Sequence, residues 1–392
     1  MSLISTMLGT IGVGAGPVPS KSTKELGTLT AASFGKPVRY HSPGKPFIGD
    51  TFACAWGPDG NVYMVIDDTA GFGFEFRPSK DRNVAVASLG TSRPPALEGT
   101  NVNGLEAFGR SNQLGADGAC WKGNGIASVD GALYLSVSRH WYHVKEYDSR
   151  QISRNASILR STDKGKTWHL SPRNGEPLPD PLFPGPRFCT PFFLDAGRDT
   201  IAPAGSPGEI EEHVYAVSTD GYWNNGNALH LARVRRADLA KLELKDWEFF
   251  CGTREDGDDP VWRPGKPGLD ACFPILSRPY SFGQTGMTYL PALRRFLLIG
   301  WRYPKLARDT WNHQTAIWDL YEAPAPWGPW RKFASKTWET EGFYNPAVPT
   351  AYLGDDGRTA WVLACGDFNT WDKGPDETMY TLWMIPLTLE AR

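Results

Sequence analysis

A short strand-turn-strand unit recurs along the chain, and this repetition constrains the fold more than any other feature of the sequence. Each unit begins with an apolar strand, turns at Gly and Asp residues, and continues in a strand of β-branched and aromatic residues. It is clearest at 52–56 and 62–66, joined by a turn at 58–61, and at 125–129 and 132–138, joined by Asp130-Gly131. Further strands are predicted at 156–161, 190–194, 213–218, 228–234, 247–251, 286–290, 296–301, 316–321, 330–334, 347–353, 360–364 and 380–387.

Five such sets of antiparallel strands, one per about 78 residues of the chain, predict an all-β fold, a five-bladed β-propeller. The segment 38–41 is expected to supply the missing strand of the last blade, which leaves no long unprotected edge. A seven-bladed propeller is the alternative; it needs about 56 residues per blade and strands in 172–188 and 252–281, where the pattern indicates none. We expect one propeller domain over 31–392 and an N-terminal extension over 1–30.

A second motif supports the propeller. The octapeptide Ser161-Thr-Asp-Lys-Gly-Lys-Thr-Trp168 matches the pattern S-x-D-x-G-x-T-W, the Asp-box of propeller hairpins such as those of sialidases. The Asp is expected to bond local backbone N–H groups and the Trp to pack between sheets. Asp163 and Trp168 are therefore predicted to be structural residues.

The composition agrees with many short strands and limits the partners. The chain is 41% hydrophobic and contains 42 Gly, 32 Pro and 16 Trp, so turn formers and aromatic residues are abundant. A net charge of −2 offers no basic surface for a phosphate backbone, which argues against nucleic acid. No apolar run approaches the roughly 20 residues of a membrane helix, so no membrane partner is expected. We expect a monomer.

The sequence contains no clear secretory signal and no cysteine motif. The segment 3–18 is mildly apolar but lacks a basic start, so it makes a poor secretory signal. A secreted or periplasmic location is expected on functional grounds only. The six cysteines form no C-x-x-C pair and have no nearby His, which argues against a zinc site or a redox motif.

One rim of the central channel is the expected site. In a blade, the first strand starts and the second strand ends on the same rim, so residues distant in sequence converge there. The starts of first strands contribute Asp50, Asn124, Thr190, Gln284 and Asn345, and the ends of second strands contribute Asp67, Asp68, Arg139, His140, Trp141, Tyr142, His143, Asp220, Tyr222, Trp223, Trp301, Arg302, Tyr303, Asp367, Phe368 and Asn369. Aromatic faces that stack on sugar rings, together with polar groups that bind hydroxyls, suit a carbohydrate.

Asp50 and Asp68 lie at the start and the end of one hairpin, so their carboxyl groups are expected to approach each other. Glycoside hydrolysis uses two such groups, one as acid and the other as base or nucleophile. Close packing of two acids also raises the pKa of one of them. We predict this pair as catalytic in a glycoside hydrolase. The predicted substrate-binding residues are Asp67, Arg139, His140, Tyr142, His143, Asp220, Trp223, Gln284, Trp301, Arg302, Asn345 and Asp367.

The segments 50–68, 193–233, 286–297 and 321–330, the last reading Tyr-Glu-Ala-Pro-Ala-Pro-Trp-Gly-Pro-Trp, resemble a bacterial five-bladed propeller family that includes endo-D-arabinanases. In those enzymes an Asp at each end of the hairpin forms the catalytic pair, which the resemblance places at Asp50 and Asp68. The sequence departs from them in carrying Thr51-Phe52 where Asn-Trp is commoner and Asp67-Asp68-Thr69 where Gly-Asp-Gly is usual. More distantly, similar hairpins occur in propellers that cleave rhamnose-glucuronate linkages and in ulvan lyases.

Two other functions stay open. A polysaccharide lyase must neutralise a uronate carboxylate and remove the C5 proton; His140 or His143 is then the base, Tyr142 the acid, and Arg139 or Arg302 the carboxylate clamp. Because side chains alternate along a strand, 140 and 142 face one side while 139, 141 and 143 face the other. A glycan-binding propeller without catalysis keeps the aromatic residues but does not need paired acids.

The expected partner in each case is a polysaccharide or oligosaccharide. None of these chemistries requires a cofactor. A structural Ca²⁺ in the channel also stays open, although no dense motif of oxygen ligands supports it.

Overall fold

The computed structural model describes residues 28–76, 81–142, 144–145, 150–255, 257, 259–304, 315–366 and 380–392. In this part of the chain the strands form five antiparallel blades, I to V, which confirms the five-bladed propeller. The strands β1 (Leu29–Phe34) and β2 (Val38–Arg39) precede blade I, which contains β3 (Phe47–Asp50), β4 (Cys54–Trp56), β5 (Val62–Phe72), β6 (Arg82–Gly90) and β7 (Thr100–Asn103).

The remaining blades follow in chain order. Blade II contains β8 (Cys120–Val129), β9 (Ala132–Trp141) and β10 (Ile152–Ser161). Blade III contains β11 (Phe192–Asp195), β12 (His213–Thr219), β13 (Gly226–Arg235), β14 (Trp247–Thr253), β15 (Pro260–Pro264), the helix α1 (Gly265–Ala271) and β16 (Pro274–Phe282). Blade IV contains β17 (Met287–Leu290), β18 (Arg295–Arg302), β19 (Ala316–Ala323) and β20 (Arg331–Trp338). Blade V contains β21 (Tyr344–Ala347), β22 (Thr359–Cys365) and β23 (Trp383–Ala391). Short 3₁₀ helices occupy Glu106–Phe108, Arg198–Thr200, Pro207–Glu209, Arg236–Lys241, Leu244–Asp246 and Thr350–Tyr352.

The two ends of the described chain close the ring in blade V. Strand β1 pairs antiparallel with β23, from Leu29 opposite Ala391 to Phe34 opposite Leu387. The predicted closing segment at 38–41 contributes as well, because β2 pairs with the start of the same strand. Most of the closure nevertheless comes from β1, which begins two residues before the expected domain start at 31.

The innermost strands surround a narrow axial cavity. Strands β11 and β17 of neighbouring blades even pair in parallel, with Leu194 opposite Met287. Small residues such as Ala53, Gly125 and Gly286 line the cavity, which leaves only ≈ 40 Å³ for water. The predicted site lies at one end of this channel.

Blades I and III contain strands that the repeat did not predict. Strands β6 and β7 complete blade I, and β15 and β16 lie within 252–281, where no strand was expected. Prolines at both ends of β15 and inside β16 made this segment resemble a loop. Both strands add to the outside of blade III, β15 on β14 and β16 on β13, where missing N–H donors are tolerated.

The Asp-box has the predicted structural role. The Asp163 carboxylate accepts hydrogen bonds from the Thr167 backbone N–H (2.9 Å) and the Ser161 hydroxyl (2.8 Å). Together with the Thr167 hydroxyl, these bonds lower the pKa of Asp163 to about 2. Trp168 packs at the margin of the core between blades. The motif therefore stabilises a hairpin and takes no part in a site.

All six cysteines are free thiols. In the residues that the structure describes, no helix has the length and apolar character needed to cross a bilayer.

Candidate active site

Three carboxyl groups of blade I meet at one mouth of the channel. Strands β3 and β5 pair so that Asp50 lies opposite Asp67, and Asp68 follows directly. Asp50 is 5% exposed and Asp67 is fully buried. Two predicted site residues, Asp50 and Asp68, thus lie close enough for the charge of Asp68 to raise the pKa of Asp50. The hairpin thus brings the two carboxyl groups into electrostatic range of each other.

Asp68 is held by groups from outside its own hairpin. The ammonium group of Lys122, on β8 of blade II, forms an ion pair with Oδ2 of Asp68. The Ser111 hydroxyl donates to Oδ1 (2.8 Å), and the Tyr142 hydroxyl lies 3.5 Å from Oδ2. Lys122 is 4% exposed. A buried lysine needs a charged partner, so this ion pair fixes the position of the carboxylate.

The sequence analysis did not identify Lys122. The sequence did contain a signal for it. Lys122 is the charged residue of β8, whose other residues are small, apolar or uncharged, and it lies two positions before the predicted rim residue Asn124. Its partner, however, belongs to another blade, and a contact between blades is not visible in a repeat pattern.

Asp50 has a different environment. Its Oδ2 accepts a hydrogen bond from the Tyr344 hydroxyl (2.9 Å), contributed by blade V. Burial, and after it the nearby charge of Asp68, raises the pKa of Asp50 to about 7, although Lys122 and Tyr344 act in the opposite direction. Asp50 can therefore hold a proton near neutral pH beside a carboxylate paired with an ammonium group.

Asp67 is anchored by the backbone of blade II. Its Oδ1 accepts a hydrogen bond from the N–H of Gly123 (2.8 Å). A Cβ atom at position 123 would lie 2.5 Å from Val65 and 3.0 Å from Asp67 Oδ1, so only glycine permits this approach. Burial raises the pKa of Asp67 well above its usual range.

Backbone strain marks the same place. Thr51, Asp68 and Asn345 adopt positive φ angles of 54°, 40° and 50°. Non-glycine residues seldom adopt this conformation. Fifteen other non-glycine residues of the described chain adopt it as well, so these angles alone do not single out the cluster. The three positions flank the carboxyl cluster on blades I and V.

A group of aromatic side chains borders the carboxyl cluster. Tyr344 lies 5.9 Å from Trp223 and 5.8 Å from Trp301, measured between ring centroids. His140 stacks edge-on against Tyr142 (4.5 Å) and Trp223 (6.0 Å). Trp301 is fully buried behind this group and donates to the backbone oxygen of Gln284, so it supports the wall and offers no face to a ligand.

Three predicted binding residues do not join the cluster. Arg139 lies on the opposite face of β9 from His140, as strand alternation requires, and its guanidinium binds Asp117 (Nε to Oδ2, 2.9 Å). Arg302 forms an ion pair with Asp319. Asp220 accepts the N–H of Asn227 (3.0 Å) and stabilises its own hairpin. Arg139, Arg302 and Asp220 were predicted to bind the substrate, and in the structure their charged groups are engaged by these protein partners.

Of the remaining predicted rim residues, one bonds to a neighbouring strand and four are not described. The Thr190 hydroxyl is satisfied by that of Thr219 (2.7 Å). His143, Asp367, Phe368 and Asn369 lie outside the described residues. Within the described part of the chain, no group of three or more His, Cys, Asp or Glu side chains has the arrangement of a metal site.

Solved structures match the chain along most of its length. A suspected hydrolase from Bacteroides ovatus superposes with a TM-score of 0.52 at 12% identity, over 90% of this chain and 87% of its own. An α-L-arabinofuranosidase from Podospora anserina, solved with cellotriose, gives 0.47 at 10% identity, over 93% and 98%. Levansucrase from Bacillus subtilis gives 0.43 at 7% identity, over 90% and 85%.

These structural neighbours include propeller glycoside hydrolases. At 12% identity the Bacteroides ovatus structure shows a shared fold alone, and the comparisons assign no family. No protein-family model matches the chain, and no curated protein matches it either. The resemblance to the family of the endo-D-arabinanases therefore stays a prediction.

Proposed function

We propose that the protein is a glycoside hydrolase, with Asp50 and Asp68 as its pair of catalytic carboxyl groups. The observation that carries the proposal is the contrast between these two side chains in one buried cluster. Burial and a neighbouring charge favour the protonated form of Asp50 near pH 7, while Asp68 is paired with the Lys122 ammonium group. Pairs of acids with different environments are what general acid and base catalysis requires.

The roles follow from these environments. Asp50 donates its proton to the glycosidic oxygen as the bond to the anomeric carbon breaks. Asp68 accepts a proton from the water that adds to that carbon, so the proton count balances. Tyr344 keeps the Asp50 carboxyl group in place, and Lys122 and Ser111 do the same for Asp68.

A lyase reaction has less support from the geometry. β-Elimination from a uronide needs a cation to neutralise the substrate carboxylate. Arg139 and Arg302, which were candidates for this role, are already paired with Asp117 and Asp319. His140 and Tyr142 do lie together, beside the Asp68 carboxylate, but neither of the two candidate guanidinium groups is available to them.

The test is a panel of plant, algal and bacterial polysaccharides, with reducing ends and the ultraviolet absorbance of unsaturated uronides measured in the same wells. We expect new reducing ends without this absorbance. Asp50→Asn and Asp68→Asn should each lower the rate by at least about a hundredfold. Asp220→Asn is the matched control, because it changes a rim carboxylate outside the cluster and should retain full activity. Absorbance that rises together with reducing ends, or full activity in both cluster variants, contradicts the proposal.

A further inference from the structure

Three amide side chains next to the carboxyl cluster have unused hydrogen-bonding groups. They are Asn124 on blade II, Gln284 on the segment before β17 of blade IV, and Asn345 on blade V, and each is at least 98% buried. The Nδ2 atoms of Asn124 and Asn345, and both amide atoms of Gln284, have no hydrogen-bond partner among the described residues. Asn124 lies within β8, Gln284 lies three residues before β17, and Asn345 is the second residue of β21, so each belongs to the innermost strand of its blade or to the segment that leads into it.

Each amide is close in the structure to a residue of the cluster. Asn124 follows Gly123, whose N–H binds Asp67. Asn345 follows Tyr344, whose hydroxyl binds Asp50. The backbone of Gln284 bonds to that of Trp223 (2.9 Å), and Trp223 packs on Tyr344. Asn124 and Asn345 are therefore next in sequence to residues that bind the cluster, and Gln284 is linked to it through Trp223 and Tyr344.

Buried polar groups without partners are unfavourable, and native structures retain few of them. Such atoms also occur elsewhere in the described residues, and these three side chains are distinguished by their place near the carboxyl cluster, where a ligand or water can satisfy them. Amides donate to and accept from hydroxyl groups equally well, whereas a guanidinium or ammonium group is the usual partner of an anion.

The charges point the same way. The cation of the cluster, Lys122, is paired with Asp68, and the rim residues Arg139 and Arg302 are paired with other carboxylates. Arg150 lies between the rings of Tyr222 and Tyr280, at 3.7 Å and 4.5 Å from their centroids. An anionic sugar would meet three carboxyl groups, with the positive charges of these described residues already engaged.

We propose that the site takes an uncharged sugar residue, without a carboxylate or sulfate group, and that the amides of Asn124, Gln284 and Asn345 bind its hydroxyls. This inference rests on the proposed function for the location of the site. It goes further in stating the chemical class of the substrate and the residues that select it.

The experiment measures binding separately from cleavage. Neutral arabino-, xylo-, gluco- and galacto-oligosaccharides, and in parallel oligogalacturonates and oligoglucuronates, are tested by saturation-transfer NMR and by the shift of the unfolding midpoint. The key variant is Gln284→Met, which keeps the side-chain volume and removes both amide atoms. We expect it to bind the neutral sugar about tenfold more weakly or worse. Its unfolding midpoint without sugar should be unchanged or higher, because an unsatisfied buried group has been removed.

Asn103→Leu is the matched control. The Asn103 amide is satisfied, since it donates to Lys166 and accepts from the Leu105 N–H, both at 2.6 Å. This variant should show the opposite pattern, a lower unfolding midpoint with unchanged sugar affinity.

The outcomes separate this inference from the proposed function. Neutral sugars that bind without being cleaved contradict the hydrolase and leave the inference standing. Hydrolysis or binding limited to uronic oligosaccharides overturns the inference and leaves the hydrolase standing. A Gln284→Met protein with a lower midpoint and full affinity also overturns it, because the amide then only binds structural water. The inference fails as well if no sugar of the panel binds.

Discussion

Asp50 combines a functional position with an environment that opposes its charge. Its carboxyl group is 5% exposed, lies near the charge of Asp68 and has Oδ1 without a hydrogen-bond partner among the described residues. A residue selected for stability alone would not be an acid at this position. The unfavourable environment is therefore expected to appear in the pH dependence of stability.

Asp50→Asn should stabilise the protein at high pH. The pKa of Asp50 is about 7 in the folded protein and 3.8 for an unperturbed aspartate, so the native state binds the proton more tightly. Stability therefore falls as pH rises between these values, by a few kcal/mol at most. Asparagine carries no such charge and can still accept the Tyr344 hydroxyl. Urea unfolding at about pH 5 and about pH 8 should show the advantage of the variant growing with pH.

The control for this prediction is Asp356→Asn. The Asp356 carboxylate is exposed and accepts local backbone N–H groups, which lower its pKa, so the variant should show no advantage at high pH. If the difference in stability between Asp50→Asn and the wild type did not change between the two pH values, the raised pKa of Asp50 would be contradicted.

Among single residues, the sequence predicted the part of the candidate site that lies on one hairpin. Asp50, Asp67 and Asp68 could be found because one hairpin contains them all. Their partners Tyr344 and Lys122 could not be found in this way. They come from blades V and II, and only the closed ring brings them to blade I. Arg139 and Arg302 were expected to face a ligand, but nearer acids, Asp117 and Asp319, bind them.

Among the elements, β5 and β8 make the contact that matters most for the site. Lys122 of β8 reaches Asp68 of β5, and Gly123 of β8 donates to Asp67. Blade II thereby fixes two carboxyl groups of blade I. Loss of the ammonium group would leave a largely buried carboxylate without its ion-pair partner.

Lys122→Met should therefore lower the free energy of unfolding by about 3 to 5 kcal/mol. The double variant Lys122→Met/Asp68→Asn should lose less than the sum of the two single variants, because no unpaired charge remains. Denaturant titration of all four proteins gives the coupling energy. Lys241→Met serves as the control, since its pair with Asp238 is on the surface and contributes little. Additive losses in the four proteins would mean that the ion pair is energetically unimportant.

Strands were predictable where turn residues separate two apolar segments, as Asp130-Gly131 separates β8 from β9. Strands β15 and β16 were missed for a physical reason: prolines remove ladder donors, and only the outer position in blade III makes this harmless. Tertiary context, not local propensity, decides the structure of such segments.

For the whole molecule, the repeat was sufficient to predict five blades and closure by an N-terminal strand. The sequence predicted 38–41 as the closing strand, whereas Leu29–Phe34 provides most of the closure and 38–39 adds to it. Closure is a long-range property, and it depends on which segment can reach the free edge of β23.

A disulfide between the two ends of the ring tests this closure. Ser33 and Thr388 are opposite residues of β1 and β23, and opposite residues of antiparallel strands have Cα atoms about 4.5 to 5.5 Å apart, which suits a disulfide. The variant Ser33→Cys/Thr388→Cys should oxidise readily. Because the bond closes a loop of almost the whole chain, it should stabilise the folded state by up to about 4 kcal/mol. The reduced form of the same variant is the control and should unfold like the wild type. A pair that stays reduced under oxidising conditions would contradict the pairing of Ser33 with Thr388, and with it the closure of blade V by β1.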